Sequence, residues 1–160
     1  MTEEKTAQPI QPRMYILGQF IRDLSFENIA AQKQILIRSQ PDIQVQAALD
    51  TRKRDAANQY DVIVKLNIKS TTKGDQPQTV LILELDYVGI FRVENVPNEQ
   101  LHPLLMIEGP RMLFPFMRRI IWDITRDGGV PQVNLENIDF LAMYRNEMAR
   151  RAQEKKASDT

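Results

Sequence analysis

Residues 60–91, YDVIVKLNIKSTTKGDQPQTVLILELDYVGIF, decide the fold. Through 60–70 the even positions Tyr60, Val62, Val64, Leu66 and Ile68 are apolar, and the odd ones include Asp61, Lys65, Asn67 and Lys69. From 79 to 91 the odd positions Leu81, Leu83, Leu85, Tyr87 and Phe91 are apolar, with Glu84 and Asp86 between them. Successive side chains of a strand point to opposite sides, so such alternation marks a strand with one buried and one solvated face. The polar TTKGDQP between the two runs holds Gly74 and Pro77, which is turn chemistry, and the pair reads as a β-hairpin.

Outward from the hairpin, Ile43, Val45, Ala47 and Leu49 alternate with polar residues over 42–50, and Arg52-Lys53-Arg54 begins a turn back. Residues 14–27 make a weaker strand, with Asp23, Ser25 and Glu27 on odd positions and Leu24 and Phe26 on even ones. Four strands with one polar face each imply an antiparallel sheet covered on one side. After Pro97 the period lengthens to that of a helix. Asn98 reads as a cap, and Leu101, Leu104, Leu105 and Ile107 define a first helix stopping at Gly109-Pro110. A second helix runs to about Arg126 with apolar Met112, Leu113, Phe116, Met117, Ile120, Ile121 and Ile124. Those residues span about 180° of the wheel, wider than the roughly 100° stripe of a one-sided helix, so two apolar contacts are expected. Pro115 either kinks this helix or sits in its first turn. Gly128-Gly129 caps its end, and a last helix follows over about 137–153. Strands followed by helices make the class α+β: a four-stranded antiparallel sheet covered on one face by two main C-terminal helices. The single domain spans 13–152, with polar tails at 1–12 and 153–160 that read as mobile.

At 160 residues the chain makes one domain. Lys+Arg and Asp+Glu are 21 each, a formal net charge of zero, which disfavours a nucleic-acid binder because such affinity rests on surplus cations. Cysteine is absent and histidine occurs once, so thiol chemistry and multi-His metal sites are excluded and no metal or cofactor is expected. No apolar run reaches the roughly 18 residues of a membrane span and no signal peptide is visible, so a cytoplasmic protein without direct membrane insertion is expected. There is no glycine-rich phosphate loop. His102 lies in an apolar helix start near only Glu99 and Glu108, and Ser25 and Ser39 lack the surroundings of an activated nucleophile. Glu84 and Asp86 share a sheet face but lack a visible cleft of the kind a glycosidase pair needs. No catalytic residue is assigned, and a non-enzyme is expected.

Partner binding is the stronger signal. The face opposite the apolar one carries Asp23, Glu27, Glu84 and Asp86 with Ile63, Val80 and Ile82. Two readings stand: an ordinary solvated face, or a docking patch for a basic partner. Seven methionines, six phenylalanines and four tyrosines suit either plain core packing or adaptable grooves that accept many sequences.

The chain resembles the protein-export chaperone SecB family of Gram-negative bacteria. The resemblance covers roughly 15–148. It rests on the order and spacing of RDLSFE at 22–27, VGIF at 88–91, MLFPF at 112–116 and VPQVNL at 130–135. It implies an ATP-independent holdase, without a cofactor, that captures unfolded secretory precursor proteins and delivers them to the translocase motor SecA. It implies a homotetramer, a dimer of dimers. The family's SecA-docking residues fall on Asp23, Glu27, Ile82 and Glu84. Its tetramer-sensitive positions fall on Leu83, Leu85 and Tyr87, and the second flank of the wide helix stripe, Phe116, Ile120 and Ile124, is the expected interface partner. The client groove falls on Phe26, Ile29, Ile35, Ile37, Phe140, Met143 and Tyr144. Where many members carry a Trp just before Gln-Pro this chain has Ser39, and Lys155 and Lys156 make its end less acidic. A SecB-like adaptor, or a chaperone dedicated to a single partner, is the alternative.

Overall fold

The computed structural model describes residues 10–159. The expected N-terminal tail falls at 1–9 outside the described residues, and 10–12 are exposed and belong to no strand or helix. Seven elements follow: β1 (Arg13–Glu27), α1 (Ile29–Lys33), β2 (Asp42–Lys53), β3 (Gln59–Thr71), β4 (Thr79–Glu94), α2 (Asn98–Asp127) and α3 (Phe140–Ser158).

The strands form one antiparallel sheet in the order β1-β4-β3-β2. The hairpin is as the alternation requires: Leu66 faces Leu85, Ile68 faces Leu83, and Gly74 turns the chain with φ +117°. Arg52 and Lys53 continue β2, pairing with Asp61 and Tyr60, and the turn comes after them. Val80 does not share the polar face. The register slips between Ser70 and Thr71, and Val80 is buried in the core beside Leu81.

Two slips in β1 set its faces. Leu17 and Arg22 are extra residues opposite β4, so each shifts the alternation by one. Apolar-face positions run Met14 and Ile16, then Gln19 and Ile21, then Leu24 and Phe26. Only beyond the second bulge do Asp23, Ser25 and Glu27 point away from the helices.

The expected break at Gly109-Pro110 does not occur; α2 is one helix of 30 residues that contains Pro103, Pro110 and Pro115. Two local facts make this possible. Proline clashes with the Cβ of the residue before it, and Gly109 has none. The helix also buries Leu105, Met106, Gly109, Pro110, Leu113, Met117 and Ile121, and that burial outweighs the hydrogen bonds the prolines cannot donate. Asn98 is the first helical residue rather than the cap; Pro97 precedes it without a side-chain cap. The far end is the expected glycine cap, with the Gly128 N–H on Ile124 O at 2.8 Å and Gly129 at φ +66°.

α2 lies across the apolar sheet face and α3 packs on α2. Thr125 ties the return segment down: its buried hydroxyl donates to Ile121 O and accepts from Val133 N at 3.0 Å. α3 starts later than expected, capped by Asp139, whose carboxylate accepts from Ala142 N at 3.0 Å. It also ends later. Residues 153–158, expected as a polar tail, are helical and exposed. No described helix is long and apolar enough to cross a membrane.

Candidate functional site

Two surfaces stand out. The first is the open sheet face. Directly opposed residues in an antiparallel pair point to the same side. Asp23 pairs with Asp86, Ser25 with Glu84 and Glu27 with Ile82. Thus Asp23, Glu27, Ile82 and Glu84, expected as one docking set, lie on one face across β1 and β4. On the far side of β4, Lys65 stands opposite Asp86, Asn67 opposite Glu84 and Lys69 opposite Ile82. Arg22 reaches over from its bulge and donates to Asp86 at 3.2 Å. Asp23, Glu27 and Glu84 form no ion pair among the described residues and are exposed. Ile63 and Val88 lie on this face too, but their neighbours cover them almost wholly. Of its apolar groups, Phe20 is exposed and Ile82 and Ile90 are half-buried.

The second is a cleft of about 420 Å³ between β2, α2 and α3. Ala47 and Leu49 floor one wall, Met106 comes from α2, and Met143, Tyr144 and Met148 come from α3. Glu147, Arg150 and Arg151 rim it. Both arginines bond the Glu147 carboxylate, Arg150 at 2.6 Å and Arg151 at 3.1 Å, and hold its pKa down at about 2. The Tyr144 hydroxyl lies 3.3 Å from His102 Nδ1. The inward row of β2 continues past the cleft as Val45 and Ile43, both exposed, toward the connection from α1.

Of the seven groove residues expected from sequence, Met143 and Tyr144 line this cleft. Ile29 and Ile35 line a separate pocket of about 240 Å³ with Lys33, Gln78 and Thr79. Phe26 packs against Gly128, and Ile37 is half-buried at the core's edge. Phe140 is not on the surface. It is 1% exposed and meets Phe114 edge-to-face at 6.0 Å. Ala47, Leu49, Met106 and Met148 escaped the sequence reading because the cleft joins three elements far apart in the chain.

The expected interface set also divides. Leu83 and Leu85 are 0% and 1% exposed inside the protomer's own core, and Tyr87 is covered as well. Burial raises the Tyr87 phenol's pKa, partly opposed by the Arg119 charge. On α2, Leu113, Met117 and Ile121 form the buried row, while Phe116, Ile120 and Ile124 form a flank left partly open. Ile21 and Leu24 of β1, paired with Tyr87 and Leu85, extend this uncovered apolar area. Ile21 was missed because the bulge at Arg22 reverses the phase between it and the downstream half of β1, where Leu24 was already read on the apolar side.

The family model described as preprotein translocase subunit SecB matches residues 7–151. The chain belongs to the SecB family. A protein-export protein SecB of Roseobacter denitrificans is 63% identical over 148 residues, covering 92% of this chain and 89% of that one. Another, from a Ruegeria species, is 60% identical over 157 residues, covering 98% and 95%. Among solved structures, a Mycobacterium tuberculosis SecB-like chaperone in complex with an antitoxin peptide shares the fold. Its TM-score is 0.61 at 13% identity, over 79% of this chain and 91% of that one. The chain carries two separate surfaces, an open sheet face that exposes Asp23, Glu27 and Glu84 and a cleft lined largely by apolar side chains.

Proposed function

We propose that this chain is an ATP-independent holdase of protein export, acting in the cytoplasm as a dimer of dimers. It holds secretory precursors unfolded in its apolar clefts and passes them to SecA through its acidic sheet face. The observation that carries this reading is the separation of the two surfaces. The methionine-lined cleft opens on the helix side, and Asp23, Glu27 and Glu84 stand on the other side of the sheet. One protomer can thus hold a client and a motor at once.

The physics of the cleft suits a broad client range. Hydrophobic burial is non-directional, and methionine side chains adapt to irregular partners. A few hundred Å² of apolar contact yields several kcal/mol at about 25 cal/mol per Å², and ordering the client consumes much of it. Each site is therefore weak. Four clefts bound by one long chain supply affinity by avidity, and release needs no nucleotide. Folded proteins, with their apolar segments buried, have nothing to insert.

Calorimetry with a secretory precursor tests this, comparing chain freshly diluted from denaturant with folded chain. The expected result is tight binding of the unfolded form alone, at one client per four protomers, weakened about tenfold or more by Met143→Asp, which places an unpaired charge in the cleft. Binding of the folded form alone would point to the adaptor reading instead.

A further inference from the structure

We propose that Arg22 is a positioning residue of the acidic face, which pins Asp86 so that Asp23, Glu27 and Glu84 are presented outward and unpaired. This rests on reading that face as the motor-docking surface.

The bulge is the first step in the argument. In an unbroken strand Arg22 would pair with Asp86, and Asp23, Ser25 and Glu27 would turn to the helix side. The extra residue instead places Asp23 opposite Asp86 and Leu24 opposite Leu85. A slip of one residue exchanges the two faces of a strand completely, so the docking acids exist as a set only while the bulge stays where it is.

The bulge carries an electrostatic cost. Directly opposed side chains have Cβ atoms about 4.5–5.5 Å apart, and like charges there repel. Asp23 and Asp86 are such a pair. Of Asp23, Glu27, Glu84 and Asp86, only Asp86 has an ion pair among the described residues. Arg22 bonds it at 3.2 Å from the bulge, and Lys65 stands opposite it on β3. The pair is partly sheltered, at 33% and 22% side-chain exposure, so it is less screened than a fully exposed one. Asp86 thus serves as the anchor for Arg22, and Asp23 is left without an ion pair.

This assignment makes a prediction opposite to that of net charge. Removing Arg22 makes the face more negative, and steering alone would then tighten a basic partner. Loss of positioning weakens it instead. SecA binding to the full chain should be measured by calorimetry at low and moderate salt. Arg22→Gln is expected to bind about fivefold more weakly, on the scale of a cross-strand charge clash, while unfolded precursor binds as before. Arg22→Lys should bind close to the unsubstituted chain. Arg22→Gln combined with Asp86→Asn should recover, because the clash and the extra charge both disappear. Equal or tighter binding by Arg22→Gln overturns the proposal, and so does a double variant as weak as the single. Glu84→Lys separates the two levels: if it abolishes docking while Arg22→Gln does not weaken it, only the role of Arg22 fails. If Glu84→Lys docks normally, the docking reading fails and this inference with it.

Discussion

Gly109 of α2 stands over Val62 of β3 so closely that a Cβ at Gly109 would lie 3.0 Å from Val62 Cγ2. The long helix approaches the sheet closely at the dipeptide that looked like its end. The absence of a side chain serves twice there, easing the proline that follows and letting helix meet strand.

That contact makes Gly109→Val destabilising. A branched side chain has to displace Val62 or lift the helix, and overpacking of this kind costs about 1–3 kcal/mol. Gly109→Ala gains about 1 kcal/mol of helix propensity against a smaller clash and should fall between Gly109→Val and the unsubstituted chain. Urea unfolding at one fixed protomer concentration measures both, since assembly makes stability concentration-dependent. An unchanged midpoint for Gly109→Val would show that the helix shifts freely and that the close approach is not needed.

The sheet was legible because β3 and β4 keep one phase over most of their length. β1 was only half legible. Its downstream end read correctly, with Asp23 and Glu27 outward, but Leu17 and Arg22 each reverse the alternation, so no single period fits the strand. The helices show the converse error. Gly109-Pro110 and Asn98 carry strong local signals, and burial along the α2 face overrode them. Asp23, Glu27, Ile82 and Glu84 lie on two paired strands, and their common face was visible from the alternation. The cleft depends on how β2, α2 and α3 meet, which no local pattern encodes, and of the seven residues named from sequence only Met143 and Tyr144 line it.

The open flank of α2 gives a test of assembly. Phe116 is 39% exposed on the single chain beside Ile120, whereas Tyr87 is 5% exposed. Phe116→Asp leaves the protomer core intact and places a charge on the surface proposed to join protomers. It is expected to shift the assembly from four chains to two, read by light scattering, with an unchanged far-UV spectrum. Tyr87→Asp should instead lower protomer stability, because it buries a charge without a partner. A tetramer that survives Phe116→Asp at micromolar concentration would move the interface elsewhere.

The rim of the cleft responds to acid. Arg150 and Arg151 hydrogen-bond the Glu147 carboxylate and lower its pKa from the usual 4.5 to about 2. A carboxylate with a depressed folded pKa contributes stability that is complete above its unfolded value. That contribution is lost as pH falls through the folded value, so the window runs from about 4.5 down to about 2. Arg150 also pairs with Glu154, one turn on, so the contacts brace the part of α3 that leaves the body of the protein. All of these groups are exposed and salt screens them, so the effect is local. Chemical shifts of residues 148–158 should therefore lose helical character across that window, more at low salt than a Glu147→Gln variant does. At neutral pH the variant should already be less helical there, because the amide carries no charge for the two guanidinium groups. Identical profiles for the two chains would mean that helix propensity alone holds the rim. A difference would tie the shape of the cleft wall to the protonation of one side chain.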